Sequence, residues 1–366
     1  MQNDLRDDSD WRTLLSFVPV DVDAVAVRTR SLVRRREIRT GGDLLRLALV
    51  YADDEMSLRE TSAWARERGV AQFSDVAVLK RLRSSVPFLR EILNSLLTPV
   101  RIKGEGLCLK ILDATTIRRS VSPGTDFRVH LCYDLARGEV AGIELTSDKE
   151  GERLDRAGAG PGDLLIADQG YPAREPLSGV VNSGAKVLIR VNASHLPVND
   201  EDGAKIKLLE AVAGLEVGDI LDIPVWTVPT KSAPSISGRI VALRKSEADT
   251  AKELERRTKK AKKNGVEVGP ESEAAAAYVF IFTTLSLEQA SGEEVLDIYR
   301  LRWQIEMYFK RIKGIVSLGE TPAKDLVLCE AVILAKLITI MLVQAHESAF
   351  FPWGYPIRTA QSLANS

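Results

Sequence analysis

Two short apolar runs that each end on an aspartate, Leu107–Asp113 and Gly162–Asp168, constrain this chain more than any other feature, because of what lies between and after them. Phe127–Tyr133 alternates apolar with polar residues, Asp134–Gly138 has turn chemistry, and Glu139–Thr146 returns, so the pair reads as a hairpin. A helix-like stretch over 172–183 then leads to a further apolar run, Lys186–Val191. Strand, hairpin, strand, helix, strand is an α/β order, and it requires one sheet that mixes antiparallel and parallel pairs. It also sets both aspartates at carboxyl ends of strands, the edge where open α/β sheets form their ligand crevice. In Asp168-Gln169-Gly170-Tyr171 the glycine lets backbone approach a ligand closely. Asp113 by itself is as readily a turn residue or a helix cap as a ligand.

The flanks have a different period. Over residues 1–100, Leu44, Leu45, Leu47, Ala48 and Tyr51 recur at helical spacing, Ser57 and Glu60 form a capping box, and Ser74 or Asp75 caps a segment carrying Val78, Leu79 and Leu82. Residues 192–284 add strands at Ile220–Val228, Gly238–Leu243 and Tyr278–Thr283, together with a basic cluster from Lys252 to Lys263 that runs into the turn Asn264-Gly265. From 285 to about 347 the pattern is helical again. The expected organisation is a helical domain over 1–100, a core over 101–191 and 285–345, a β-rich insertion over 192–284 and a short tail over 346–366. A chain of 366 residues suits two to three such units.

Composition narrows the function. The chain is 45% hydrophobic and 28% charged, which is globular. Its formal net charge of -1 supplies no overall field toward nucleic acid, so any basic surface is local. One such surface is the run from Arg28 to Arg39 that includes Arg34, Arg35 and Arg36, either a solvated helix face or a phosphate-contacting segment. Cys108, Cys132 and Cys329 lack metal-ligand spacing and the histidines are scattered, so neither a zinc site nor a disulfide framework is expected. The acidic N-terminus is unlike a signal peptide. The apolar stretch Leu326–Ala345 contains Glu330 and Lys336, costly in a bilayer, and reads as a buried or partner-packing helix of a cytoplasmic protein with no membrane partner.

The strongest local signal is the segment Tyr299–Lys313. On a continuous helix, Tyr299, Arg302, Trp303, Glu306, Lys310 and Lys313 fall within a stripe roughly 100° wide, and Ile298, Leu301, Ile305, Tyr308, Phe309 and Ile312 form an apolar stripe opposite. Ion pairs at i,i+4 account for the charges as a solvated face, but leave Tyr299 and Trp303 on the wet side without a reason. One carboxylate amid cations and aromatics is what a phosphodiester site needs. Asp113, Asp168 and Glu306 would then hold two Mg²⁺ (or Mn²⁺) ions, because oxygen-only ligands favour hard cations over zinc. Arg302 suits bidentate phosphate contact, Lys310 and Lys313 suit point-charge contact, and Tyr299 can donate its hydroxyl.

The spacing Tyr299-x2-Arg302-x3-Glu306-x6-Lys313 is similar to the Y-R-E-K signature of DDE transposases of the IS-four family of bacterial insertion sequences, and the stretches around Asp113-Ala114-Thr115 and Ala167–Tyr171 resemble that family's two aspartate regions in the expected order. The resemblance spans roughly residues 40–345. It implies an RNase H-like catalytic core with a β-rich insertion, and a helical N-terminal domain that recognises the terminal inverted repeats. It implies Asp113, Asp168 and Glu306 as catalytic triad and Tyr299, Arg302 and Lys313 as DNA-contacting partners. The chemistry implied is cut-and-paste: nicking, hairpin formation by the freed 3′-hydroxyl, hairpin opening and strand transfer into target DNA, in a nucleoid-associated complex. An aromatic from the insertion would stabilise a flipped base, with Trp226, Tyr278 and Phe280 as candidates. Members carry a C-terminal region that pairs two molecules, and a homodimer in the DNA complex is expected here although only the short tail follows the last helix. Two other readings share these residues: an RNase H-like nuclease without strand transfer, and a catalytically silent, transposase-derived DNA-binding protein.

Overall fold

The computed structural model describes residues 8–33, 37–53, 56–96, 107–119, 122–135, 139–263, 265–303, 305–306, 309–310, 320–321 and 323–350. Arg34, Arg35, Arg36 and Lys313 lie outside the described residues. Six helices come first: α1 (Asp8–Ser16), α2 (Val22–Arg28), α3 (Gly41–Ala52), α4 (Leu58–Glu67), α5 (Asp75–Ser84) and α6 (Val86–Leu96). Their starts are written in side chains. Asp21, Thr40, Ser57 and Ser74 each accept hydrogen bonds from the first-turn N–H groups, and Ser57 with Glu60 closes the expected capping box.

The sheet follows: β1 (Cys108–Arg119), β2 (Phe127–Asp134), β3 (Glu139–Ser147), a 3₁₀ turn (Leu154–Ala157), β4 (Asp163–Ala167), α7 (Arg174–Asn182) and β5 (Lys186–Val191). Spatial order is β3-β2-β1-β4-β5, with β1, β2 and β3 antiparallel and β1, β4 and β5 parallel. That is the RNase H-like order. One expectation changes. β1 does not stop at Asp113 but runs six residues further, because β2 keeps pairing with it as far as Ile117 opposite Phe127 after β4 has ended.

Residues 192–284 hold β6 (Val198–Asn199), β7 (Lys205–Ile206), α8 (Leu208–Ala211), β8 (Ile220–Thr227), β9 (Ser237–Arg244), α9 (Glu247–Lys263), α10 (Pro270–Ala275) and β10 (Tyr278–Thr283). They do not make a sheet of their own. β10 pairs antiparallel with β5, Phe280 opposite Val191, and β9, β8, β6 and β7 extend the same sheet outward. The chain then forms α11 (Gly292–Arg300), β11 (Glu320–Thr321), which pairs parallel with β1, and α12 (Leu326–Phe350).

Alternation along the strands feeds two cores, as a pleated strand buried on both faces must. Ile111, Val129, Leu131, Leu164, Ile166, Leu188 and Ile281 point to one face, and Leu112, Leu165, Ala167, Val187, Ile189, Phe280 and Phe282 to the other. The first face is continuous with the N-terminal helices, because α12 packs against α3, α5 and α6 as well as β3. α12 is long and apolar enough to cross a membrane, but 72% of its apolar window is buried inside the fold, which meets the expectation of a packing helix. Its Glu330 faces Arg90 of α6 at 2.8 Å.

Candidate active site

β1 and β4 lie side by side and run the same way, and their last paired level is Leu112 opposite Ala167. Asp113 and Asp168 therefore occupy the next level on neighbouring chains, at a backbone separation of about 5 Å. Alternation directs Asp113 to the face of Ile111 and Ile117. Asp168 is the first residue beyond β4, in a turn closed by the Tyr171 N–H donating to its carbonyl at 3.1 Å. The ring of Tyr171, only 1% exposed, anchors that turn in the opposite core.

α11 brings the third element over this pair. Ser291 and Glu294 cap its start reciprocally. Arg239 of β9, buried, donates to the carbonyls of Leu285 and Ala290 at 2.9 and 2.7 Å and to Asp222 at 2.5 Å, which ties the entry of α11 to the insertion strands. Near the far end of α11, the Tyr299 hydroxyl donates to Asp168 Oδ1 at 2.9 Å. Arg302 lies 5.8 Å from the Tyr299 ring centroid and donates to Glu306 Oε1 at 2.5 Å. The single helix expected over 299–313 is not what forms. α11 ends at Arg300, the chain tightens through bonds from Leu301 to Ile298 and from Arg302 to Tyr299, and helical backbone resumes at Trp303. Tyr299, in the last turn before the break, holds Asp168, and Glu306, beyond it, is held by Arg302.

Two residues absent from the sequence reading join the site. Arg190, on β5 and on the same face, brings a guanidinium to 4.0 Å from Asp168 Oδ1. A lone arginine in the apolar run Lys186–Val191 was the available signal. Glu152, in the loop after β3, faces Arg128 at 3.7 Å and adds a third half-buried carboxylate beside Asp113 and Asp168. The close approach that Gly170 allows is used by this side chain rather than left for a ligand, since a Cβ there would sit 1.7 Å from Glu152 Oε2. Nothing in the polar loop sequence marks Glu152 out.

Burial pushes the Asp113 carboxyl up to about 6, the Ala114 N–H and Arg302 pull it down, and the Asp168 and Glu152 charges push it up again. Burial likewise raises Glu152. Burial and the Asp168 charge hold the Tyr299 phenol well above its usual range, so it remains a donor. Carboxylates crowded against one another, with donors and guanidiniums on one flank, can take a hard cation and the oxygens of a phosphodiester. Among the described residues no three acids, histidines or cysteines already converge closely enough to hold a metal.

The other predicted residues divide. Trp303 is 56% exposed, and Glu306 and Lys310 are exposed on the same helical segment. Tyr278 stands at the catalytic edge, half-buried under Arg244, whose guanidinium lies 5.1 Å from its ring centroid, but its face is that of the opposite core. Phe280 is only 3% exposed inside that core, and Trp226 pairs with Ser237 at the opposite edge of the sheet. Neither is brought to the site, because strand alternation and the antiparallel return of β8 carry them away from it.

Residues 104–342 match the family described as Transposase DDE domain. The chain belongs to this transposase family. Relatives include the InsL protein of insertion sequence element IS186A from Escherichia coli (strain K12), 32% identical over 342 residues, with 91% of this chain and 92% of that protein aligned. The transposase for insertion sequence element IS421 from Escherichia coli is 32% identical over 343 residues with the same coverage. A piggyBac transposase in a synaptic complex with hairpin DNA overlays 93% of this chain and 76% of its own at a TM-score of 0.48 and 10% identity. As a DDE transposase the protein is an enzyme of DNA strand cleavage and transfer.

Proposed function

We propose that this transposase moves its insertion sequence by cut-and-paste, with Asp113, Asp168 and Glu306 as the acids that bind metal and the terminal inverted repeats and target DNA as substrates. The observation that carries this reading is the Asp113 and Asp168 pair at one level of two parallel strands, with Tyr299 and Arg302 closed over it. The donors are all oxygen and their charges crowd one another, which suits Mg²⁺ or Mn²⁺. Two such ions would supply an activated water or 3′-hydroxyl and neutralise the leaving oxygen.

The chain's own groups do the positioning. Arg302, once released from Glu306, can take two phosphate oxygens as a planar fork, and Glu306 is then free to serve as the third acid. Tyr299, held protonated, orients Asp168. Lys310 and Trp303 offer the DNA a cation and a stacking face. The helices of 1–100 recognise the element ends, and two molecules pair in the DNA complex, at the nucleoid in the cytoplasm.

The test is cleavage of a supercoiled plasmid carrying the element ends, with Mg²⁺ or with EDTA. Cleavage requires the metal and is abolished by Asp113→Ala, Asp168→Ala or Glu306→Ala, while DNA binding persists. Equal loss of binding would make these residues structural. Joining of the 3′-hydroxyl into a second plasmid separates transposition from simple nuclease action.

A further inference from the structure

β9 and β5 run parallel, each antiparallel to β10 between them, so β9 ends at the edge of the sheet where Asp113 and Asp168 stand. The chain leaves that edge at Lys245 and returns at Ala277, the two joined by an N–H to carbonyl bond of 2.8 Å. α9 and α10 lie between those two residues, on a segment that starts and ends at the catalytic edge. α9 is 17 residues long and buries none of them. One side of the helix, Thr250, Glu253, Leu254, Arg257 and Ala261, is half-buried, Arg257 donates to the Ser272 carbonyl at 2.6 Å, and ion pairs support the rest. Here Glu247 pairs with Arg244, Asp249 with Lys252, Glu253 with Arg256 and Arg257, and Glu255 with Lys259. Those pairs engage every acid on the helix. Lys260, Lys262 and Lys263 form its last turn and have no ion pair among the described residues.

We propose that α9 is a rail for the duplex flanking the element, gripping its backbone beyond the scissile phosphate through Lys260, Lys262 and Lys263. This rests on the proposed function, in which the helices of 1–100 hold the element end. That bundle packs through α12 against β3, at one margin of the sheet, whereas α9 leaves from β9, on the other side of β1 and β4. DNA that crosses the site from the bundle toward α9 passes from the element into its flank. Lysines without ion pairs around the exposed last turn of a helix suit the charge of a duplex backbone and read no sequence.

The experiment measures binding by the full-length protein, in EDTA, to duplexes cut from the DNA bordering its own coding sequence, with a flank of about two helical turns or with none. The wild type binds the flanked duplex about tenfold more tightly, and its log K falls more steeply with log salt. The Lys260→Ala, Lys262→Ala, Lys263→Ala triple variant loses that gain and about 2–3 of the slope, and binds the flankless duplex as before. Alanine at these three exposed positions leaves the fold intact, and reversal to glutamate at the same positions deepens the loss. No loss, or equal loss on both duplexes, overturns the rail. A loss confined to capture of unrelated plasmid by precut ends also overturns it, in favour of target binding. Plasmid cleavage, scored separately, judges the proposed function: a wild type that cleaves without any gain from the flank overturns the rail alone, and one that prefers neither duplex to unrelated DNA overturns both.

Discussion

At the residue scale, Asp113 is ionised in the fold only at a cost. An unfolded aspartate titrates near ~3.9, and burial with two carboxylate neighbours raises this one to about 6. Between those values the folded protein keeps a proton that the unfolded chain has released, so metal-free stability falls as pH rises from about 4 to 6 and stays lowered above. Asp113→Asn abolishes cleavage yet raises stability in EDTA above pH 6 by about 1–3 kcal/mol, converging with the wild type below about pH 4. Denaturant melts at the two pH values check this, and equal stability at neutral pH would remove the crowding argument. Gly170 makes a second case. Gly170→Ala drives a methyl group into the Glu152 carboxylate, the flexible end of its side chain, and costs about 0.5–1 kcal/mol as that carboxylate shifts from Arg128. In a Glu152→Ala background most of that cost disappears, and additive costs in the double-mutant cycle would show that the two residues do not meet.

At the scale of elements, local chemistry made much of the fold legible. Lys186–Val191 and Tyr278–Thr283 form strands with the expected bounds, and the Ser57 box starts α4 as its spacing requires. Periodicity failed at Leu301 and Arg302, where an unbroken helical stripe gives way to a tight joint because Tyr299 is drawn to Asp168. That joint leaves Trp303, rather than an aromatic of the insertion, exposed beside Arg302. Trp11 and Trp64 are buried and Trp226 stands at the far edge of the sheet, so among the described tryptophans it is Trp303 whose fluorescence DNA binding quenches. Trp303→Ala weakens binding by about 1–3 kcal/mol if a base stacks there. Undiminished quenching in a Trp303→Phe variant would clear the residue of contact.

At the scale of the whole molecule, neither the helical domain nor the insertion is a body apart. α12, more than 200 positions after α3, fills the centre of the N-terminal helices, and the insertion strands prolong the core sheet from β5. A fragment covering residues 8–96 therefore exposes the apolar face that α12 covers and lacks a cooperative thermal transition of its own, as circular dichroism melting will register. A sharp transition in that fragment would mean that the bundle has an independent core. The same sharing explains how the insertion bears on catalysis, since Arg239 of β9 fixes the entry to α11 and so the position of Tyr299.

The sequence by itself determined the succession of strands along the chain, the starts of α4 and α5 and the place of Asp168 after its strand, because each follows from side-chain period and capping within a few neighbouring residues. Tertiary structure alone decided that Glu152 and Arg190 join the site, that α11 breaks where it does and that α12 belongs with α3 and α6. Those outcomes depend on contacts such as Tyr299 to Asp168, 131 positions apart, and no local period encodes which distant side chains will share a face.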